Sequence, residues 1–445
     1  MNTKPLLNTA RDRAIPSLEE KKDMKKFVKL LLSSTSKSYR PIICGSVGKS
    51  TWLSHRREAD LFLIFPPNMT KAQLEKRGLA EAKKIVKKLG GTWKLAYSEH
   101  PYIQALFKFA GKTYEVDLVP AFGIRDPSAI KSAVDRTPYH VKFILKNLKK
   151  PEDVVLLKQF CIAHECYGAD LKVLGFSGYL CELLIVKYGS FLGCIRAASK
   201  WKSGVRLSLS KSTKKFDTPL TFIDPVDPKR NVAAVVSPEK FTSFVSACRK
   251  FISKPSINDF FPAPVKPITL EELKKKLKKQ NTSLLTIKFS KPKVLEDILW
   301  AQMRKALRIL SSRIETAGFQ VLRTSSFMDK KHIILIFEMT STLASKTKKK
   351  YGPYVKSKSA HFFLKHYSKV AFIEKKRWVV ETKREFTNLD KFLKNYLHIT
   401  PKKLRLRGIP SKLLSMNRAK IEIFPKQKIS NSTDFFVHMK KFFHH

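Results

Sequence analysis

The chain has 445 residues, 43% of them hydrophobic, and sets 88 Lys and Arg against 36 Asp and Glu, a formal net charge of +52. This length and apolar content exclude a disordered chain and a single small domain; at about 150 residues per domain, roughly three are expected. The charge calls for a polyanionic partner, most often nucleic acid, because each phosphate neutralised by Lys or Arg releases condensed counterions. An anionic membrane is the competing partner, but no stretch approaches the roughly 18 to 20 uninterrupted apolar residues of a spanning helix. The N-terminus also lacks the apolar core of a signal peptide, so a cytoplasmic protein with no membrane association is expected.

Between about Ser17 and Leu32, Leu18, Met24, Phe27, Val28, Leu30, Leu31 and Leu32 recur among lysines and glutamates, which predicts an amphipathic first helix. Two buried strands follow, Pro41 to Cys44 before Gly45-Ser46, and Leu61 to Phe65 before Pro66-Pro67. Helical spacing returns over residues 70–89 and stops at Gly90-Gly91. Strand-like segments then run from Gln104 to Phe109 and from Tyr114 to Val119, joined by Gly111-Lys112. From about 151 to 255 the pattern is mainly helical, as in Pro151 to His164 and Gly178 to Tyr188, until the run from Phe261 to Pro267 marks a boundary. Beyond it come a strand (Leu284 to Phe289), a helix carrying Leu299, Met303, Leu307, Leu310 and Ile314 that ends at Gly318, and a strand (His332 to Glu338). A basic loop, a helix and a hairpin-like pair around Lys369 to Ile373 and Trp378 to Val380 follow. The expected fold class is therefore α+β and multidomain: a mixed-sheet domain over residues 1–145, a helical domain over 146–262 and an α+β domain over 263–445.

The six cysteines are widely spaced in a chain rich in core residues, which argues against a disulfide framework. Cys161, His164 and Cys166 are metal-capable, but they close an apolar-periodic helix, so buried thiols are the simpler account.

The chemistry concentrates earlier. Gly45-Ser46-Val-Gly48-Lys49 is followed, twelve residues after Ser46, by Glu58-Ala-Asp60 entering an apolar strand. Side chains alternate along a strand, so Glu58 and Asp60 share a face about 7 Å apart. Asp117 begins a second apolar strand and can stand beside them. Three carboxylates at a sheet edge suit a pair of magnesium ions, and a Gly-Ser turn opening a helix offers N–H groups and a hydroxyl to a triphosphate, with Lys49 as a nearby positive charge. Each element alone is commonly just a turn or a solvated carboxylate; the combination is far more specific.

Gly45-Ser46 with Glu58-x-Asp60 resembles the nucleotidyltransferase superfamily, and the wider chain is similar to the archaeal, class I CCA-adding enzymes. The similarity includes Glu99-His-Pro-Tyr102, Tyr114 to Pro120, Asp135 to His140, Gly175-Phe-Ser-Gly-Tyr-Leu-Cys-Glu182 with the run to Val186, and Asp224 to Ala234. The resemblance implies a polymerase β-like head, a helical neck, and an α+β body and tail. It implies two Mg²⁺ ions on Glu58, Asp60 and Asp117, and the triphosphate at Ser46 and Lys49, where the family usually has Arg in place of Lys49. By the same resemblance His100, Thr137, His140, Lys158 and Tyr167 surround the incoming CTP or ATP, and Arg230 helps recognise the base. Lys158 and Tyr167 would face opposite sides of an unbroken helix, so the helix must end near Cys166, which Gly168 favours.

Basic runs gather in the last third, at Lys274 to Lys279, Lys346 to Tyr351, Lys375 to Trp378 and Lys402 to Arg407, several beside aromatics that can stack on ribose or bases. The resemblance extends to Tyr351-Gly-Pro-Tyr354 and Trp378 to Phe386, and implies a grip on the acceptor stem and T arm of tRNA, with a homodimer left open. Another template-free polymerase, such as a poly(A) polymerase, would share the carboxylates; an inactive RNA-binding relative would not need them.

Overall fold

A computed structural model describes residues 3–97, 101–124, 133–210, 214–427, 429 and 431–443. The chain divides into two units, Met1–Ala263 and Pro264–His445.

The first unit opens with α1 (Lys4–Ala14) and α2 (Leu18–Ser33), the latter started by a reciprocal capping box between Ser17 and Glu20. Strands β1 (Arg40–Cys44) and β2 (Glu58–Phe65), helix α3 (Lys71–Lys88), and strands β3 (Thr92–Tyr97), β4 (Pro101–Phe109) and β5 (Lys112–Phe122) follow. They form a five-stranded sheet in the order β1-β2-β5-β4-β3, parallel only between β2 and β5. The β4–β5 hairpin turns through Ala110 and Gly111, both at positive φ, as the favoured two-residue hairpin turn requires. On one face Leu61, Leu63, Ile103 and Leu118 pack with Met24, Phe27 and Leu31 of α2 and Leu74 and Ile85 of α3. On the other face, Phe62, Ile64 and Ala121 meet Val141 of α4 (Thr137–Asn147). Strand β3 went unpredicted because Trp93, Leu95 and Tyr97 are exposed at the sheet edge, where no burial contrast marks the sequence.

The helical part comprises α5 (Pro151–Ala163), α6 (Gly178–Tyr188), α7 (Phe191–Ala198), the short parallel strands β6 (Val205–Leu207) and β7 (Leu220–Phe222), and α8 (Pro238–Ser253). Its core is aromatic, with Phe160, Phe176, Phe191, Phe244, Phe251 and Phe260 in mutual contact, and α1 joins it through Leu7 and Ala10. Cys161, Cys166 and Cys181 are buried there, and burial pushes the Cys161 thiol up. His164 faces Asp259 at 3.6 Å.

In the second unit the elements run α9 (Leu270–Gln280), β8 (Ser283–Ser290), α10 (Glu296–Thr316), β9 (Val321–Met328), β10 (His332–Met339), β11 (Thr347–Tyr354), α11 (Ala360–Tyr367), β12 (Ala371–Glu374), β13 (Arg377–Lys383), α12 (Leu389–Leu397), α13 (Pro401–Leu406), β14 (Lys420–Phe424) and α14 (Thr433–Phe442). An antiparallel sheet, β14-β8-β10-β9, is covered on one face by α10 and α12 through Leu299, Met303, Leu393 and Leu397. On the other face α9 and α14 pack through Leu277 and Phe435. A second sheet, β11-β13-β12, contains the basic run that was expected to be a loop: Lys348, Lys349 and Lys350 lie in the edge strand β11, whose exposure erases any apolar alternation. Among the described residues no single helix is long and apolar enough to cross a membrane.

Candidate active site

The site begins where β1 ends. Gly45 turns at φ +58, and Gly48 N–H donates to Cys44 O at 3.0 Å while Thr51 N–H donates to Ser46 O at 2.9 Å. The expected helix after Gly45-Ser46 does not form; residues 45–50 are consecutive turns, and Ser50 adopts φ +57, which a helix forbids. Both glycines are dictated by contact. A Cβ on Gly45 would stand 1.7 Å from Asp60 Oδ2, and one on Gly48 would stand 2.4 Å from Ile43 O.

Register assembles the carboxylates. Across the parallel β2–β5 pair Glu58 faces Glu115 and Asp60 faces Asp117, and across β1–β2 Cys44 faces Asp60. Cross-strand partners share a face, so four acidic residues lie together, Glu58 and Asp60 at the start of β2 but Glu115 and Asp117 in the middle of β5; Asp117 does not begin its strand as expected, because β5 already starts at Lys112 out of the hairpin turn. Burial first, and then the charge of Asp60, push the Asp117 carboxyl up to about 6, against a hydrogen bond from Gln104 Nε2 at 3.1 Å. Asp60 is also raised, chiefly by burial, with Lys49 opposing and Glu58 adding to the rise. Tyr102 beside them is pushed up to about 12 by burial and by Asp117, Asp60 and Glu115.

The expected triad is a shared face rather than a closed cage. Among the described residues no three His, Cys, Asp or Glu side chains converge enough to hold a metal by themselves. Glu58, at the exposed start of β2, is drawn to Arg56, with Oε1 3.8 Å from its Nη1. The donor set nonetheless fits Mg²⁺: it is all oxygen and anionic, and Asp60 and Asp117, raised first by burial and then by neighbouring carboxylates, are groups whose charge a hard divalent cation would stabilise.

The remaining predicted residues fall into two groups. Lys49 does not stand free on the turn; its ammonium lies 2.5 Å from Glu182 Oε2 of α6 and is buried. Lys158 of α5 is also buried and donates to Thr51 O at 2.8 Å. Helix α5 stops at Ala163 and Glu165 takes φ +54, so the chain reverses and brings Tyr167 back: a Cβ on Gly178 would stand 3.2 Å from Tyr167 Oη and 3.5 Å from Lys158 Nζ. The early helix end thus lets Lys158 and Tyr167 meet at the start of α6. In the second group Thr137 opens α4 and His140 lies in its first turn. His140 Nε2 is 3.0 Å from Asp224 Oδ2, and its ring stacks on Tyr179 at 4.0 Å. Arg230 Nη1 donates to the same Asp224 oxygen at 2.8 Å, and Tyr179 Oη donates to Oδ1 at 3.2 Å. Burial alone would raise Asp224, but His140, the Val226 N–H and Arg230 together hold it at about 2. Burial lowers His140, against the pull of Asp224. His100 lies outside the described residues.

Sequence reasoning passed over Glu182, Asp224, Glu115 and Tyr179. The one available signal for Glu182 was its type: a carboxylate inside Gly-Tyr-Leu-Cys-Glu-Leu-Leu-Ile-Val, an otherwise apolar helix, needs a buried cation.

A mixed sheet with a parallel central pair, carboxylates in register across that pair and a Gly-Ser turn beside them defines a polymerase β-like nucleotidyltransferase head. The model for the second domain of tRNA nucleotidyltransferases matches residues 152–261, and that for the C-terminal domain of CCA-adding enzymes matches residues 280–404. The CCA-adding enzyme of Methanosarcina acetivorans is 36% identical over 361 residues, 79% of this chain and 78% of that protein. That of Archaeoglobus fulgidus is 34% identical over 402 residues, 89% of this chain and 90% of that protein. The chain belongs to the CCA-adding enzyme family, and its activity is template-independent nucleotidyl transfer.

Proposed function

We propose that the protein adds C, C and A to the 3′ end of tRNA, the 3′-hydroxyl attacking the α-phosphate of CTP or ATP and pyrophosphate leaving. The observation that carries this reading is the in-register pairing of Asp60 with Asp117 beside the Gly45-Ser46 turn. Glu58, Asp60 and Asp117 would hold two Mg²⁺ ions, which supply stabilisation of charge on the entering and leaving oxygens. Ser46 offers its hydroxyl and N–H to the triphosphate. Lys49 and Lys158 supply positive charge from beneath the turn rather than from its surface.

His100, Thr137, His140 and Tyr167 border the nucleotide, and Arg230 reads the base. Cytosine and adenine share an exocyclic amino donor beside a ring-nitrogen acceptor, whereas uracil and guanine place a ring N–H there. A guanidinium, which only donates, can bond the acceptor and is repelled by the N–H. Asp224 holds Arg230 in one orientation for this choice. In this reading residues 1–145 are head, 146–262 neck and 263–445 body and tail, the last gripping the acceptor stem and T arm through their basic runs.

The test is incubation with tRNA lacking CCA, Mg²⁺, CTP and ATP, followed by sequencing of the extended ends. Three additions, C-C-A, then arrest are expected, and Asp60→Ala should abolish them while leaving tRNA binding intact. A homopolymer tail would assign the chain to another template-free polymerase.

A further inference from the structure

We propose that Glu182 is a positioning residue for nucleotide addition: from α6 it clasps Lys49 and Thr51 and so fixes the triphosphate-binding turn on the helical part of the unit. The inference rests on the reading of that turn given above.

Helix α6 buries Leu180, Cys181, Leu183, Leu184 and Ile185, and Glu182 among them is 1% exposed. A helix so apolar could fill this position with leucine, since replacing a buried ionic group by a packed apolar one is often neutral or stabilising. The carboxylate therefore calls for a reason beyond folding. Both its oxygens are engaged by the turn: Oε2 accepts from Lys49 Nζ at 2.5 Å, and Oε1 accepts from Thr51 Oγ1 at 2.7 Å. Lys158 Nζ, 3.6 Å from Oε1, donates to Thr51 O at 2.8 Å and to Thr51 Oγ1 at 3.1 Å.

Two ammonium groups thus share the Glu182 carboxylate beneath a turn that abuts Asp60, whose charge both also oppose. The turn needs outside support, because it is not helical and carries left-handed residues at both ends, Gly45 at φ +58 and Ser50 at φ +57. Without the clasp, its hydroxyl and N–H groups would sample several arrangements, and triphosphate binding would weaken before chemistry did.

The test compares Glu182→Gln, Thr51→Val, Lys49→Met and Lys49→Met/Glu182→Gln with the unaltered chain in CTP and ATP addition, with Ser46→Ala as a control. Loss of a charge-assisted hydrogen bond should raise KM for CTP and for ATP about tenfold or more in Glu182→Gln, with KM for tRNA within about twofold. Glu182→Gln should add little to Lys49→Met, since the two act as one unit. Nucleotide KM unchanged in a folded Glu182→Gln, or losses that simply add in the double variant, would overturn the proposal. If Glu182→Gln fails to fold, Thr51→Val decides: a rise in nucleotide KM of about threefold or more supports the clasp, and an unchanged KM refutes it. An unaltered chain that adds no nucleotides, or a Ser46→Ala with normal nucleotide KM, refutes instead the reading of the site on which the proposal stands.

Discussion

Asp60 stands opposite Asp117 on the neighbouring parallel strand, and its charge, second only to burial, holds the Asp117 carboxyl at about 6. A folded-state value above the ordinary 3.8 means that the folded chain binds this proton more tightly than the unfolded one. The associated stability is present below pH of about 4 and is lost as pH rises through about 6. Asp117→Asn should therefore melt like the unaltered chain near pH 4 and be more stable above pH 7, by about 1 to 3 kcal/mol in the absence of divalent cations. Thermal melts across that range check it. An equal difference at every pH would contradict the electrostatic origin.

Gly45→Ala strikes the same carboxylate through packing. The new Cβ would stand 1.7 Å from Asp60 Oδ2 at a backbone position of φ +58, where an L side chain costs about 1 kcal/mol. Displacement of a reacting group by about 1 Å costs on the order of a hundredfold in rate. We expect nucleotide addition to fall by that factor or more and stability to fall by about 1 kcal/mol or more, measured by single-turnover extension and by melting.

Asp224→Asn should loosen base choice. The amide keeps the shape but puts a donor or a neutral acceptor where Arg230 and His140 now meet a carboxylate. Hydrogen bonds to charged groups contribute about 1.5 to 3 kcal/mol, so discrimination between CTP and UTP should fall roughly tenfold or more. The ratio of kcat/KM for the two nucleotides, taken on the same tRNA, is the measurement.

Affinity for tRNA should fall steeply with salt. A chain of net charge +52 that engages several phosphates loses on the order of a hundredfold or more between about 50 and 200 mM salt. Equilibrium binding across that range tests it; a flat response would remove the electrostatic grip.

What the sequence made legible was whatever carries periodic burial. The stripe of Met24, Phe27 and Leu31 marked α2, and the apolar residues on β2 and β5 placed Asp60 and Asp117 on neighbouring strands, Asp60 near a strand start as expected and Asp117 in the middle of β5 instead, where the register paired them. Elements at sheet edges escaped notice because exposure removes the pattern, as in β3 and β11. The polar contacts of the site escaped for another reason. Lys49 meets Glu182 and His140 meets Asp224 across long stretches of chain, and only packing α6 against the turn, and α4 against the loop after β7, reveals that these two expected nucleotide contacts have carboxylate partners. The helix end that unites Lys158 with Tyr167 was foreseen from Gly168, although the chain turns earlier, at Glu165.

The lysines of β11 have a consequence apart from RNA. A strand at the rim of a three-stranded sheet offers unpaired N–H and C=O groups that could zip to a neighbouring molecule. Lys348, Lys349 and Lys350 are carried on that strand, so two such borders approaching each other would bring like charges together. The same cations that suit a phosphate chain would oppose edge-to-edge pairing between copies of this protein.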